Sequence, residues 1–176
     1  FEIRHCAASA AVLHYPCTHM DMVRPGIALY GHYPDPGCEG LDGPGLKPVM
    51  SLFSRVAAVR DFPAGTPVGY GCTASFGGAG GRTAVLPIGY ADGLHRTLSN
   101  QGSVWLDGQP RPIMGRVCMD LCMIGLDGEA EVRPGDVAEI FGERLPVEGQ
   151  AELAGTISYE LLTAVAPRVP RIYKDA

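Results

Sequence analysis

Residues 116 to 123 carry side chains that could do chemistry at alternate positions. The segment reads Arg116, Val117, Cys118, Met119, Asp120, Leu121, Cys122 and Met123. Apolar residues thus alternate with a cation, an anion and two thiols, and this period of two predicts a β-strand with one apolar face. An ordinary half-buried strand with surface charges is the alternative. The segment indicates a site only if other residues converge on it.

Two tyrosines stand beside glycines. Tyr70 lies between Gly69 and Gly71, and Tyr90 follows Gly89. Glycine lets the backbone turn sharply and leaves a neighbouring phenol uncovered, which suits contact with a ligand or partner better than packing in a core. The two phenols are therefore candidate site residues.

The overall composition limits the kinds of partner. The chain has 176 residues, of which 46% are hydrophobic and 19% charged, as in globular proteins. Its formal net charge of -5 and the lack of a Lys/Arg cluster argue against a nucleic-acid partner. The apolar runs are too short to span a membrane, and no secretion signal is recognisable. We expect a soluble protein of the cytoplasm.

Six cysteines are scattered along the chain without a C-x-x-C pair, so we interpret them as reduced thiols. An alternative is a zinc site formed by His5, Cys6, Cys118 and Cys122. Their spacing matches no standard zinc pattern, and we predict no metal site. The glycine-rich stretch 77–81 lacks the Lys and Ser/Thr of a P-loop, which indicates a flexible loop.

Residues 1–33 have the pattern of an α/β fold. A short helix is expected over 7–13, followed by a buried strand at 22–24 and 27–30. A single helix and strand cannot bury their apolar faces, so we expect this piece to belong to a larger α/β body. Residues 34–48 are rich in proline, glycine and aspartate, which predicts a linker.

Short strands and turns dominate the rest of the chain. Strands are expected at 50–62, 82–88, 103–106, 109–113, 116–124 and 136–141. An Asp-Gly pair at 107–108 predicts a type I′ hairpin turn, and the regular spacing predicts a small antiparallel β-barrel. Two helices follow at 148–154 and 157–166, the second capped by Thr156 or Ser158.

Tyr159 stands in the first turn of the second of these helices. Free N–H groups at such a position favour an anion, so this tyrosine is a candidate anion-binding residue. A half-buried aromatic that anchors the helix is the alternative.

Five motifs occur in order along the chain. They read DMVRPGIALYG at 21–31, VGYG at 68–71, IGYADG at 88–93, GRVCMD at 115–120 and GTISYE at 155–160. In this order the sequence strongly resembles the alanine racemases, fold type III enzymes that use pyridoxal 5'-phosphate.

The resemblance implies a domain organisation. Residues 1–33 would be the C-terminal remnant of a cofactor-binding (β/α)8 barrel, 34–48 a linker, and 49–176 the C-terminal β-domain. The expected fold class is mainly β: a small antiparallel β-barrel domain preceded by the last strand and helix elements of the larger barrel, with a short C-terminal helical segment.

The resemblance also implies a catalytic role for Tyr70. In the family this tyrosine removes or returns the α-proton on one face of the substrate, while a lysine serves the other face. A free phenol titrates near pH ~10, so a phenol that acts as a base near neutral pH needs about 4 kcal/mol of stabilisation from cations or hydrogen bonds. A surface tyrosine on a strand is the alternative for this residue.

A set of cofactor contacts is implied in the same way. Arg24 would face the pyridine nitrogen of the cofactor, and His5 would position that arginine. A guanidinium cannot accept a proton and disfavours protonation of the ring nitrogen, which weakens the ring as an electron sink. The implied phosphate contacts are Ser9, Gly26, Ile27 and Tyr159.

On the substrate side, the backbone N–H of Met119 would meet the carboxylate of a small amino acid. The resemblance implies a corridor into the site lined by Tyr90, Arg96, Arg116 and Asp120. Its cations would attract a carboxylate, although plain surface ion pairing is the alternative for the arginines. In the family, Tyr70 and Met119 act on the partner subunit's cofactor, which implies a head-to-tail homodimer.

Several positions depart from the family pattern. Ala8 stands where the family usually has asparagine, and Ala74 where a second aromatic is common. The lysine that holds the cofactor has no counterpart, because Lys47 and Lys174 lie in other contexts. We therefore expect the chain alone to be inactive and to lack the cofactor.

The function expected from the resemblance is the interconversion of L- and D-alanine, with D-alanine supplied for peptidoglycan. A serine racemase or a racemase of broad specificity on the same scaffold is one alternative. The serine-using branch tends to replace the tyrosine found at position 159, so Tyr159 favours alanine. A non-catalytic β-domain that binds a partner chain or a small anion is the other alternative.

Overall fold

The chain folds as two compact units, Phe1–Met50 and Ser51–Ala176, called unit 1 and unit 2 below. The computed structural model describes residues 2–35, 37, 45–128 and 130–174. Within the predicted linker, residues 36 and 38–44, among them Cys38, lie outside the described residues.

Among its described residues, unit 1 contains one α-helix and short 3-10 helices. Helix α1 spans Ser9–His14, and the 3-10 helices span Pro16–Thr18 and Ile27–Tyr30. The helix predicted near the start of the chain is confirmed. Its alanines favour helix, and Pro16 prevents α1 from continuing because proline lacks an N–H group.

The strand predicted at 22–30 is wrong. Arg24 makes only an isolated bridge, and the following residues form a 3-10 helix. The N–H groups of Gly26 and Ala28 donate to the hydroxyl of Ser9. A side chain therefore takes the backbone donors that a β-ladder would have used.

Unit 2 is built mainly from antiparallel β-structure. Its strands are β1 Leu52–Arg55, β2 Ala58–Phe62, β3 Pro67–Val68, β4 Ala74–Ser75, β5 Gly81–Leu86, β6 Ser103–Leu106, β7 Gln109–Pro112, β8 Cys122–Leu126 and β9 Val137–Phe141. They form three sheets with the orders β1-β9-β6-β7, β2-β5-β8 and β3-β4. The mainly-β class with antiparallel sheets is confirmed, and the described strands form open sheets that do not close into a barrel.

The single strand predicted at 50–62 is two strands in different sheets. Strand β1 pairs with β9, whereas β2 pairs with β5. Between them, the Val56 N–H donates to the Asp136 carbonyl at 2.9 Å, and the Ala57 N–H donates to the Val85 carbonyl at 2.8 Å. The chain thus changes sheet within two residues without losing its backbone hydrogen bonds.

The hairpin predicted around residues 107–108 is confirmed. Strands β6 and β7 pair across a turn in which Asp107 has φ 55° and Gly108 has φ 75°. Positive φ at both central residues is the type I′ geometry that Asp-Gly favours. The buried Arg111 of β7 supports the turn, because its guanidinium lies 3.0 Å from the Asp107 carboxylate and also pairs with Asp127.

The core of unit 2 includes side chains from the neighbouring strands β5 and β8. Ala84 pairs with Ile124, Leu86 pairs with Cys122, and all four side chains are fully buried. Burying a Leu or Ile side chain contributes about 1.5–3 kcal/mol by removing apolar surface from water. This sheet supports the loop 114–121, which leads into β8.

Residues 116–121 do not form the predicted strand. Strand β8 begins only at Cys122, and the loop before it contains a turn in which the Cys118 N–H donates to the Leu121 carbonyl at 2.9 Å. Met119 and Leu121 are exposed, so the alternation in this loop does not mark one buried face.

Two helices follow the sheets, as predicted. Helix α2 spans Val147–Ala154, and α3 spans Ser158–Ala164. The predicted cap is wrong, because the N-cap of α3 is Ile157 and the Thr156 hydroxyl bonds to the Glu160 carboxylate instead. Along the described part of the chain, no helix has the length and apolar character that crossing a membrane requires.

We expect Ile124→Ala to lower the free energy of unfolding by about 2–5 kcal/mol, because it would leave a cavity in a fully buried layer. Urea-induced unfolding of the 176-residue chain, followed by fluorescence of the single tryptophan, measures the change. Ile172→Ala, at a residue that is 83% exposed, is the control, with an expected change below about 0.5 kcal/mol. Equal losses in the two variants would contradict this placement of the core.

Candidate functional site

A tight turn presents Tyr70 at the surface of unit 2. Gly69 and Gly71 both have φ 73°, a backbone conformation that residues with a side chain rarely adopt. A β-carbon on Gly69 would lie 3.2 Å from Arg116 N, and one on Gly71 would lie 3.4 Å from Arg116 Nε. The two glycines therefore let the turn lie against Arg116, and Tyr70 is left 72% exposed.

Tyr70 contributes to a cavity of about 420 Å3 that gathers most of the predicted site residues of unit 2. The cavity is lined by Tyr70, Tyr90, Arg96, Arg116, Val117, Cys118, Met119, Asp120 and Leu121. It thus includes the catalytic candidate, the substrate-binding candidate and all four corridor candidates. Two phenols, two guanidinium groups and a carboxylate converge on a space of the size that small-molecule sites have.

A close backbone contact joins the segment that carries Tyr90 to the loop that carries Met119. The Tyr90 N–H donates to the Cys118 carbonyl at 3.0 Å. The Ala91 N–H donates to the Met119 carbonyl, also at 3.0 Å. A β-carbon on Gly89 would lie 2.3 Å from both carbonyl oxygens, so this approach requires glycine.

This contact also fixes the direction of one peptide group in the cavity wall. The Cys118 C=O and the Met119 N–H belong to the same trans peptide plane and point in opposite directions. Because the carbonyl bonds to Tyr90, the Met119 N–H points away from that segment. None of the described residues accepts a hydrogen bond from it. It is therefore a donor available to an anion such as a carboxylate.

Arg168 binds the carboxylate of Asp120. Its Nη2 lies 2.7 Å from Asp120 Oδ1, and its Nε lies 2.8 Å from Asp92 Oδ1. Asp92 in turn accepts the Gly89 N–H at 2.9 Å. The hydrogen bonds to Asp92 and then to Asp120 raise the pKa of the Arg168 guanidinium. Part of the negative charge of Asp120 is thus offset by Arg168, a residue that does not line the cavity.

The two arginines of the cavity differ from Asp120 in their partners. Among the residues that the structure describes, neither Arg96 nor Arg116 forms an ion pair. Ser99 holds their two segments together, because its hydroxyl accepts the Val117 N–H at 3.0 Å and donates to the Arg96 carbonyl at 2.5 Å. The cavity therefore keeps positive charge that attracts anions.

The sequence analysis did not identify Arg168 or Ser99. The carboxylates that Arg168 binds lie 76 and 48 residues earlier in the chain, so no local pattern marks the contact. The one available signal was Asp92, a charged residue inside the IGYADG motif to which no role was assigned.

Burial disfavours the thiolate form of Cys118, in this loop, and of Cys122, the first residue of β8. Burial raises the pKa of Cys118, and the charge of Arg96 opposes that shift. Burial and the neighbouring Cys118 raise the pKa of Cys122 to about 12. Over 2–35, 37, 45–128 and 130–174, no group of three or more His, Cys, Asp and Glu is placed to hold a metal ion.

Unit 1 brings a second group of predicted residues together. Arg24 Nη1 lies 2.5 Å from His5 Nδ1. Since a guanidinium has only donors, the imidazole nitrogen is the acceptor in this pair. His5 therefore contacts the guanidinium of Arg24, and its role in positioning that arginine for a cofactor stays a prediction.

The hydroxyl of Ser9 accepts two backbone hydrogen bonds, from the Gly26 N–H at 2.9 Å and the Ala28 N–H at 3.3 Å. Both lone pairs of the oxygen are then used, so the hydroxyl hydrogen is left to donate to a ligand. No described residue accepts the Ile27 N–H, and a β-carbon on Gly26 would meet nothing within 4 Å. These donors and the open space fit a phosphate group.

The cavity is not lined by the remaining positions, which are Tyr159, Ala8 and Ala74. Tyr159 is half-buried in the first turn of α3 and does not line the cavity, so its phosphate contact stays a prediction. Ala8 forms the bridge with Arg24, and Ala74 pairs with Val68 in the β3-β4 sheet. The backbone of Ala8 thus pairs with the segment that carries Arg24, and the backbone of Ala74 pairs with the strand that precedes Tyr70.

Two family models match the chain. The model described as alanine racemase, C-terminal domain, matches residues 49–173, and the model described as alanine racemase, N-terminal domain, matches residues 1–34. The cavity lies within the first range, and the group around Ser9 lies within the second.

Curated alanine racemases are similar to the chain over nearly its whole length. The relative from Desulforamulus reducens is 46% identical over 176 residues, which are 98% of this chain and 46% of the relative. The relative from Carboxydothermus hydrogenoformans is 45% identical over 182 residues, which are 98% of this chain and 47% of the relative. The chain thus spans about half the length of the curated relatives it matches.

Solved structures of alanine racemases are similar over the same region. The structure from Bacillus anthracis with bound L-Ala-P gives a TM-score of 0.91 at 35% identity, covering 99% of this chain and 45% of that chain. The structure from Streptomyces coelicolor gives a TM-score of 0.89 at 39% identity, covering 99% of this chain and 46% of that chain.

We expect Gly89→Ala to destabilise unit 2 by about 1–3 kcal/mol, because the added β-carbon would overlap two carbonyl oxygens. Urea-induced unfolding of the 176-residue chain measures the loss. Gly77→Ala is the matched control, since a β-carbon there meets nothing within 4 Å. A Gly89→Ala protein as stable as the unmodified chain would show that the two segments are not in this contact.

We expect Arg96→Gln to slow the alkylation of Cys118 by iodoacetamide, because Arg96 favours the reactive thiolate. The pH at which the rate is half-maximal should rise in the variant. Arg96→Lys keeps the positive charge and should react as the unmodified chain does. Peptide mass spectrometry separates Cys118 from the exposed Cys6, Cys17 and Cys72. Identical pH profiles for Arg96→Gln and the unmodified chain would contradict this electrostatic contact.

Proposed function

This chain belongs to the alanine racemase family, and from that premise we propose that it supplies part of a pyridoxal 5'-phosphate-dependent enzyme that interconverts L- and D-alanine. The proposal rests on the cavity that gathers Tyr70, two arginines and the Met119 N–H. A phenol that can exchange a proton, cations that attract a carboxylate and an N–H that can bind it are the groups needed at the α-carbon of an amino acid.

The donors of unit 1 fit the proposed cofactor. The Ser9 hydroxyl and the Ile27 N–H would bind its phosphate in the open space beside Gly26. Arg24, held by His5, would face the ring nitrogen and, having no acceptor, would leave that nitrogen unprotonated. Once bound, the cofactor would withdraw electrons from the α-carbon and make its proton removable.

The residues of the cavity would handle the substrate. The Met119 N–H would bind the substrate carboxylate, which Arg96 and Arg116 attract. Tyr70 would exchange the α-proton on one face, while a lysine outside this chain would serve the other face. Arg168 would weaken the repulsion between Asp120 and the substrate carboxylate, because its positive charge offsets part of the negative charge that Asp92 and Asp120 carry together.

The rest of the enzyme belongs to the proposal as well. We propose that the active protein combines this region with an N-terminal barrel and forms a head-to-tail homodimer. Tyr70 and Met119 would then act on the partner subunit's cofactor. The product, D-alanine, would serve peptidoglycan synthesis in the cytoplasm. Alone, the chain would be inactive, since Lys47 and Lys174 do not match the context of the cofactor-holding lysine.

A chimeric enzyme tests this function. Its N-terminal half comes from the Desulforamulus reducens alanine racemase, and the present chain replaces the matched region, which is 46% identical. We expect the chimera with added pyridoxal 5'-phosphate to racemise L-alanine, measured by circular dichroism, and the 176-residue chain alone to be inactive. Equal or faster turnover of serine would favour the serine or broad-specificity alternative.

We expect Tyr70→Phe in the chimera to lower kcat by about 100- to 10,000-fold, because the phenol that exchanges the proton is lost. In heavy water the variant should still exchange the α-proton of one alanine enantiomer, through the lysine, without inverting it. Proton NMR measures the exchange. Tyr173→Phe, at a residue that is 90% exposed, is the matched control and should leave kcat unchanged. Unchanged racemisation in Tyr70→Phe would contradict the role and favour a β-domain that only binds a partner or an anion.

A further inference from the structure

Asn100 connects the turn that carries Tyr70 to the loop that carries Arg116. Its Oδ1 accepts the Gly115 N–H at 2.7 Å, and its Nδ2 donates to Thr73 Oγ1 at 3.1 Å. Gly115 immediately precedes Arg116, and Thr73 ends the 3-10 turn Tyr70–Cys72. One side chain thus bonds to the two segments that carry the cavity residues Tyr70 and Arg116.

The chemistry of this position suits asparagine. Asn100 has φ 61°, a left-handed conformation that asparagine adopts more readily than most residues. A backbone N–H can only donate, so the amide atom that faces Gly115 must be the oxygen. The NH2 group is then directed to Thr73. A carboxylate would lack that donor, and an aliphatic side chain would lack both groups.

Besides its packing against Arg116, the Tyr70 turn is held by few hydrogen bonds. Strands β3 and β4, which flank the turn, have only two residues each. Such a short pair of strands is marginally stable without further contacts. Within residues 69–73, the described hydrogen bonds are one from the Cys72 N–H to the Gly69 carbonyl and the bond between Thr73 and Asn100. Of these two bonds, the one between Thr73 and Asn100 connects the turn to another segment.

The neighbouring residue strengthens this connection. Ser99 accepts the Val117 N–H, so two consecutive side chains bind the amides on either side of Arg116. The same segment supplies Arg96 to the cavity. Movement of the 96–100 segment would therefore shift both cavity arginines, and through Thr73 it would also shift the tyrosine.

We propose that Asn100 is a positioning residue that sets the placement of the Tyr70 phenol relative to Arg116. The inference rests on the proposed function in one respect, which is that the Tyr70 phenol and Arg116 act in the same site. The bridge itself belongs to the 176-residue chain, so it can be measured there without activity.

The first test uses NMR of the 176-residue chain. Asn100→Gly keeps the left-handed backbone accessible and removes both bonds, so amide exchange at Gly115 should accelerate by about tenfold or more and the Tyr70 ring signals should shift. Thr73→Val removes only the second bond and should shift the Tyr70 signals while Gly115 stays protected. Thr73→Ser keeps the hydroxyl and should match the unmodified chain. Unchanged Tyr70 signals in both Asn100→Gly and Thr73→Val would overturn the proposal.

The second test uses the chimera. Asn100→Gly and Thr73→Val should lower kcat by about tenfold or more at a nearly unchanged KM, and Thr73→Ser should restore kcat. An unfolding midpoint measured for each variant separates positioning from loss of folded protein. A normal kcat despite shifted Tyr70 signals would overturn the positioning role. An inactive unmodified chimera would count against the proposed function, while the NMR result would still decide whether Asn100 places the phenol.

Discussion

The contact of Gly89 with the Cys118–Met119 peptide is the constraint on which the site depends. Two carbonyl oxygens occupy the space where any other residue would carry its β-carbon. The N–H groups of Tyr90 and Ala91 bind these carbonyls, and the planarity of the peptide then directs the Met119 N–H the other way. Because Gly89 has no β-carbon, the two segments can approach closely. This approach orients the Met119 N–H in the cavity wall and brings the Tyr90 segment next to it.

The ion pairs around the cavity matter for charge more than for stability. Arg168 and Asp120 are mostly exposed, and pairs of this kind contribute little to the free energy of folding. They do weaken the field of the Asp120 carboxylate in the wall of a small cavity. Arg96 and Arg116, which have no carboxylate partner among the described residues, then dominate the local potential. An acidic protein thereby presents a local surface that attracts anions.

Local patterns predicted the parts of the structure that local physics decides. The Asp-Gly pair predicted the β6-β7 turn because both residues tolerate positive φ. The glycines beside Tyr70 predicted an uncovered phenol for the same reason. The order of the motifs indicated that Tyr70, Arg116 and Met119 share a site, and these residues do line one cavity.

The features that the sequence did not predict depend on contacts between segments that are distant in the chain. Alternation over 116–121 resembled a strand, but hydrogen bonds from Tyr90 and Ala91 hold this segment as a loop. The structure has open sheets where the sequence predicted a barrel, because strands pair with distant segments that a local pattern does not identify. Nothing in the composition marks Val56 as the residue at which the chain passes from one sheet to the next. The contacts of Asn100 and Arg168 could not be predicted, because the fold alone brings their distant partners close to them.

The ion pairs of Arg168 also have a consequence for biosynthesis. A ribosome makes the Asp92 and Asp120 segments first, and Arg168 follows only 76 and 48 residues later. During translation the nascent β-domain therefore passes through a stage in which both carboxylates lack their counter-ion. The ion pairs of Arg168 can form only after α3 has left the ribosome, because Arg168 follows that helix in the chain. The charge distribution at the cavity is therefore completed late in the synthesis of the domain.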